Sequence, residues 1–206
     1  MKFPLRMAVI VLAILCCATM AAAREATWSF ATAFNPASPD AYYNQWGAPA
    51  AVINVDAEIG TGWYDTLPEV YGTEQGWWDV GYGSIVLTIP GMAEPNPEPE
   101  TVWVEVTYWS DFNQAPAVSF ASQGATFAGK VTTLVEAGPV FGGWYKDRWT
   151  WTLAPSLAPQ TITVAGDPVW GSQITRIAVV PEPSALLALC TGIAGLAGVA
   201  ARRRRG

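Results

Sequence analysis

An all-β fold, an antiparallel β-sandwich of jelly-roll-like topology, is predicted for residues 24–179 by three observations. Strand-like apolar runs recur at short spacing along this segment. Glycine, proline, asparagine and aspartate separate the runs, as turn residues do. No stretch of the segment has the 3.6-residue apolar period that is typical of a helix. Closure of the strands into a β-barrel is the alternative topology.

The apolar runs predict nine strands. They lie at residues 27–34, 50–56, 83–90, 101–110, 115–122, 129–137, 148–155, 160–166 and 172–180. Residues 92–100, with the sequence MAEPNPEPE, interrupt the series. Because proline cannot donate a ladder hydrogen bond, we interpret this segment as an acidic surface connector.

Side chains alternate between the two faces of a strand, so the strand at 101–110 has two distinct faces. One face is predicted to be core and carries Val102, Val104, Val106 and Tyr108. The wetter face carries Trp103, Glu105, Thr107 and Trp109. Trp103 and Trp109 are therefore expected to flank a carboxylate on the outside of the sandwich.

All 11 tryptophans lie between Trp28 and Trp170, and core packing is their default role. Trp77 and Trp78 are adjacent in the sequence, so they point to opposite faces of a strand and one of them should lie outside. The face shared by Trp149, Trp151 and Leu153 is predicted to be buried.

Residues 1–23 have the three-part pattern of a secretory signal peptide. Lys2 and Arg6 precede an apolar run at residues 7–17, and small residues follow it. Ala21 and Ala23 occupy the positions that signal peptidase reads, so cleavage is expected after Ala23. An uncleaved membrane anchor is the alternative interpretation.

Residues 180–206 combine a proline-rich motif, an apolar run and a basic cluster. The run at 184–201 has no charge, and a helix of that length would span roughly 27 Å, enough for the hydrocarbon core of a membrane. The arginines at 202–205 form a basic stop-transfer cluster, which would stay on the cytoplasmic side: Arg202, Arg203, Arg204 and Arg205. The two ends together predict that residues 24–179 are exported.

In this tail the apolar run and the arginines follow Val180, Pro181, Glu182 and Pro183. The tail resembles the PEP-CTERM sorting signal of Gram-negative bacteria. The same tail has also been labelled as the C-terminal part of ice-binding proteins. The resemblance implies that exosortase, a membrane-embedded enzyme, recognises Pro181, Glu182 and Pro183 and cuts near them. It also implies an association with exopolysaccharide or biofilm. The expected route is export across the inner membrane, transient anchoring by the C-terminal helix, and then the cell surface or the medium.

Proline restricts its neighbour and lacks the amide donor. The Pro-Glu-Pro segment is therefore expected to be extended and accessible, and not to pair in a sheet.

Composition excludes several classes of site from residues 24–179. Histidine is absent from the chain, and the three cysteines, Cys16, Cys17 and Cys190, lie outside this segment. Disulfides, Cys/His metal sites and Ser-His-Asp relays are thereby excluded.

Five basic residues against sixteen acidic ones give the segment a net charge of −11, which disfavours nucleic acid as a partner. We predict no cofactor and no specific metal site, although an all-oxygen calcium site stays open.

Three functions are compatible with these features. The first is a non-catalytic, exported surface or matrix protein. The second is a carbohydrate-binding module whose exposed rings stack on sugars. Its candidate residues are Trp78, Trp103, Trp109, Asp79, Glu105 and Asp111. The alternative interpretation of these tryptophans is that a neighbouring loop or sheet covers their rings. The third is a small glycan hydrolase using two carboxylates, for which the sequence selects no pair among Asp65, Asp79, Glu105, Asp111 and Asp147.

Overall fold

A computed structural model describes residues 25–42, 47–65, 76–90, 99–111, 115–121, 124–154 and 158–181. These residues lie in one compact unit, Arg24–Pro181. The second compact unit, Met1–Ala23 with Glu182–Gly206, lies outside the described residues. The predicted signal peptide and membrane helix belong to this second unit. Most of the predicted connector at 92–100 also lies outside the described residues.

The described residues form twelve strands. They are β1 (Ala26–Trp28), β2 (Ala41–Tyr42), β3 (Ala50–Asn54), β4 (Gly62–Tyr64), β5 (Trp77–Gly81), β6 (Ser84–Ile89), β7 (Glu100–Ser110), β8 (Ala117–Phe120), β9 (Ala125–Ala137), β10 (Gly143–Leu153), β11 (Gln160–Ala165) and β12 (Ser172–Pro181). Each of the nine predicted strands overlaps one of them. The short strands β2, β4 and β5 are additional.

The strands form two antiparallel sheets. The large sheet has eight strands in the order β2-β1-β12-β7-β10-β9; β5 pairs with β12 beside β1, and β4 pairs with β5. The small sheet has four strands in the order β3-β6-β11-β8. The chain passes repeatedly from one sheet to the other. This arrangement confirms the predicted antiparallel sandwich.

The core lies between the inner faces of the two sheets. The predicted valine face of β7 is buried there: Val102, Val104 and Val106 have no solvent exposure. The small sheet contributes the alternating residues Ile85, Leu87, Ile89, Ile162 and Val164. Burying each such side chain stabilises the fold by about 1.5–3 kcal/mol. This shared core holds the sheets together without a disulfide.

The inner face of the large sheet is not covered along its whole width. β8 is an edge strand of the small sheet, and its Phe120 reaches Trp151 on β10, with ring centroids 5.1 Å apart. Beyond that point lies β9, whose inner-face residues Phe127 and Leu134 are 47% and 52% exposed. The β9 side of the large sheet therefore presents an open inner face.

Candidate functional site

Strand β10 carries different side chains on its two faces. Cross-strand partners share a face, so pairing with the buried valines of β7 puts Asp147, Trp149 and Trp151 on the inner face. The intervening residues, Lys146 and Arg148, lie on the outer face. Each face carries aromatic and charged side chains and is a candidate surface for a ligand.

On the inner face, four aromatic residues form what we call the aromatic shelf: Phe127, Tyr145, Trp149 and Trp151. The centroid of the Phe127 ring lies 5.7 Å from that of Trp149 and 5.2 Å from that of Trp151, with the ring planes tilted by 51° and 56°. Tyr145, Trp149 and Trp151 are half-buried against the edge of the core. Phe127 is 47% exposed, so the shelf offers apolar ring surface to solvent.

A buried charge lies beside the shelf. Asp147 has no solvent exposure, and its Oδ2 accepts a hydrogen bond of 2.9 Å from Nζ of Lys130. The same Nζ lies 4.9 Å from the centroid of the Trp149 ring, close enough for a cation–π interaction. Lys130 thus links the carboxylate to the shelf and keeps a third of its own side chain exposed.

Tyr108 lies next to this carboxylate on the core side. Burial raises the pKa of Tyr108 well above its usual range, and the negative charge of Asp147 raises it further. The ring also stacks with Tyr145 at 6.2 Å. The hydroxyl therefore stays protonated and neutral at physiological pH.

The shelf can bind a sugar by stacking. The C–H face of a pyranose packs on aromatic rings, while polar side chains at the rim bond the hydroxyls. Lys130 and Thr132 supply such polar groups on the inner face of β9, and both residues are exposed. The sequence pattern placed Trp149 and Trp151 on one face correctly. The expectation that this face is buried holds for Leu153, whereas both tryptophans are only half-buried.

On the outer face, the structure brings Trp103 and Glu105 together through Arg148. Both Nε and Nη2 of Arg148 lie 2.6 Å from Oε1 of Glu105, and Nζ of Lys146 lies 3.7 Å from Oε2. The guanidinium lies 4.5 Å from the centroid of the half-buried Trp103 ring. Arg148 therefore occupies the ring surface on which a sugar was expected to stack.

The expectation that Trp109 is exposed is wrong. Trp109 lies on the outer face as the alternation predicted, but it is only 5% exposed. It packs edge to face on Trp144 at 5.6 Å, within a small cluster that includes Trp77. The turn between β9 and β10 approaches closely: a Cβ added at Gly138 would lie 2.5 Å from the Trp109 ring. Asp111 accepts a hydrogen bond from the indole Nε1 of Trp109.

Trp78 is also buried, which corrects its proposed place on the surface. It is 7% exposed and belongs to the main core. Trp77 points to the opposite face, as predicted, yet it is covered too, stacking on Tyr64 at 4.6 Å. Asp79 accepts a 2.6 Å hydrogen bond from Oγ1 of Thr61. The three tryptophans chosen from the sequence therefore do not form one surface.

The Pro-Glu-Pro motif begins inside the sheet. Pro181 closes β12 and pairs with Val102, so the expectation that this proline stands clear of the sheet is wrong. A proline at the end of a strand removes only its own amide donor. Ala21, Ala23, Glu182, Pro183 and the arginines at 202–205 lie outside the described residues.

Two further observations concern the described residues alone. No group of three or more aspartate, glutamate, histidine or cysteine side chains is placed there to hold a metal ion. In the same ranges, no helix has the length and apolar character needed to cross a membrane.

Comparison with known proteins adds one finding to this geometry. The family model of the PEP-CTERM protein-sorting motif matches residues 179–205. No curated protein and no solved structure matches the chain. The family match covers the tail and, within the sandwich, only the last three residues of β12. Proteins with this motif are exported, processed by exosortase and sorted at the cell surface. The chain is therefore an exosortase-sorted protein that carries the PEP-CTERM motif at residues 179–205 and a β-sandwich domain ahead of it.

Proposed function

We propose that this chain is a non-catalytic surface or matrix protein whose sandwich associates with extracellular polysaccharide through the aromatic shelf. The observation that carries the proposal is the open inner face of β9 and β10. There Phe127 and the half-buried Trp151 present ring surface, and Nζ of Lys130 lies over the neighbouring ring of Trp149. Contiguous exposed apolar patches, as on the inner face of β9, mark interaction and ligand-binding surfaces.

The proposal of a non-catalytic role rests on the carboxylate nearest the shelf. Hydrolysis of a glycoside needs two carboxyl groups that flank the scissile bond. Asp147 is completely buried, and its Oδ2 is paired with Lys130. It is therefore held away from the surface on which a sugar would lie, and we expect binding without release of reducing sugar.

The test uses the processed protein recovered from its host and polysaccharide purified from the same culture. We expect the intrinsic tryptophan fluorescence to change on titration, because Trp149 and Trp151 would lose contact with water. Replacing Phe127→Ala should weaken binding by about tenfold, as loss of a central aromatic contact does.

Phe141→Ala is the matched control, because Phe141 is also 47% exposed but lies in the turn between β9 and β10. This variant should bind like the unmodified protein. Binding that is equally weakened by both changes, or an absence of any fluorescence change at saturating polysaccharide, would rule out the shelf as the contact. Release of reducing ends would contradict the non-catalytic role.

A further inference from the structure

The sorting motif and the sandwich share three residues. The motif spans residues 179–205, whereas β12 extends to Pro181. Val179, Val180 and Pro181 are therefore both the first residues of the motif and the last residues of a strand. β12 lies inside the large sheet, between β1 and β7, and not at an edge.

These three residues are held to different extents. Val179 pairs with Ala26 on β1 and with Val104 on β7, and it has no solvent exposure. Within the described ranges, the ladder with β1 runs from Ile177 to Val179. There, Val180 and Pro181 pair on the β7 side, opposite Trp103 and Val102. Strand ends that are paired on one side open far more readily than a strand held on both sides.

The sequence leaves little room beyond the strand. Only Glu182 and Pro183 separate β12 from the uncharged run at 184–201. Two extended residues reach about 7 Å. An enzyme that acts near the Pro-Glu-Pro segment must therefore work directly beside the folded sheet.

We propose that the sandwich itself limits where and when exosortase cuts. The cut lies C-terminal to Pro181, so the processed protein keeps all of β12. In the folded protein the motif becomes available only when Val180 and Pro181 separate from β7. In the cut, the bond between the carbonyl carbon and the amide nitrogen breaks, and the carbonyl carbon forms a new bond to water or to an amine or hydroxyl acceptor. The acceptor loses one proton, and the departing amide nitrogen gains one to become an amine. The released amine stays on the apolar run.

The physical reason for the limit is the core. A cut before Val179 would remove a fully buried side chain and the ends of two ladders, since Val179 pairs with both β1 and β7. Separation of Val180 and Pro181 from β7 breaks only the end of one ladder. The fold therefore stays intact while the last two residues of β12 are presented.

The test separates the strand end from the motif. Inserting Gly-Ser-Gly-Ser-Val-Pro between Pro181 and Glu182 keeps the end of β12 and recreates Val-Pro-Glu-Pro farther along the chain. Full-length chains with and without the insertion are followed by pulse-chase in the native host. Because the recreated motif needs no separation from the sheet, its processing should be about fivefold faster. A host without exosortase is the control, and neither chain should be processed there.

The mass of the product gives a second measurement. The unmodified product should end at or after Pro181, and the product with the insertion should be heavier by the six added residues. An unchanged processing half-time would overturn the gating, because it would mean that the enzyme acts before β12 joins the sheet. A folded product that ends before Val179 would overturn the limit on the cut. Equal urea-unfolding midpoints of the two products establish that the insertion spares the fold.

Discussion

Nζ of Lys130 lies 2.9 Å from Oδ2 of Asp147, a carboxylate with no solvent exposure. The contact joins β9, the last strand of the large sheet, to β10. Lys130 compensates this charge at Oδ2, and Tyr108 lies beside the same carboxylate. The ion pair therefore adds a side-chain contact to the backbone ladder that holds β9, the edge strand that carries Phe127.

Lys130→Met should lower the free energy of unfolding by about 1–3 kcal/mol, because it leaves a buried carboxylate without its partner. The value lies below that for a fully buried pair, since a third of the lysine side chain is exposed. Urea unfolding followed by tryptophan fluorescence measures the change.

Lys146→Met is the matched control for this prediction. Lys146 lies on the opposite face of the sheet, 3.7 Å from Glu105, with 37% of its side chain exposed. Surface pairs of this kind contribute about 0–1 kcal/mol. A loss for Lys130→Met no larger than that for Lys146→Met would show that Asp147 is compensated by other groups.

Ionisation of Tyr108 should make the stability of the folded protein decrease with pH in the alkaline range. Burial, and then the charge of Asp147, raises the pKa of Tyr108 in the folded state above the usual value near 10. The folded state thus favours the neutral phenol. The contribution of Tyr108 to the free energy of unfolding is complete below about pH 10 and is lost as the pH rises above that value.

Tyr108→Phe isolates this contribution. The free energy of unfolding of both proteins is measured at several values from about pH 8 to about pH 11, a range in which unperturbed tyrosine titrates. The unmodified protein should lose more stability above about pH 10 than Tyr108→Phe does, because the variant has no phenol to ionise. Parallel curves would show that other groups, such as lysines, cause the alkaline loss.

Strand periodicity was sufficient to predict the faces of the large sheet. The alternation in β7 placed Val102, Val104 and Val106 in the core, and the alternation in β5 placed Trp77 and Trp78 on opposite faces. These predictions hold because the period of two is a local property of the backbone. The exposure of each face depends on what packs against it, which is a property of the whole fold.

Two tryptophans show where that local reasoning stops. Trp151 was expected to be buried but is half-buried, because the small sheet ends at β8, whose Phe120 contacts its ring. Trp109 was expected to be exposed but is buried, because the glycine turn before β10 lies against its ring. The width of the second sheet and the path of a turn are not encoded in the periodicity of either strand.

The outer-face contact between Arg148 and Glu105 should be modest in energy. Their side chains are 43% and 20% exposed, and the guanidinium also lies over Trp103. In a double-mutant cycle with Arg148→Ala and Glu105→Gln, we expect a coupling energy of about 0.5–1 kcal/mol that decreases with added salt. A coupling well above that range, or one insensitive to salt, would mean that the pair is shielded from solvent.

Arg148→Ala also uncovers the ring of Trp103. If the outer face were the contact for polysaccharide, this variant would bind more tightly, whereas the aromatic shelf predicts unchanged affinity because it lies on the other side of the sheet.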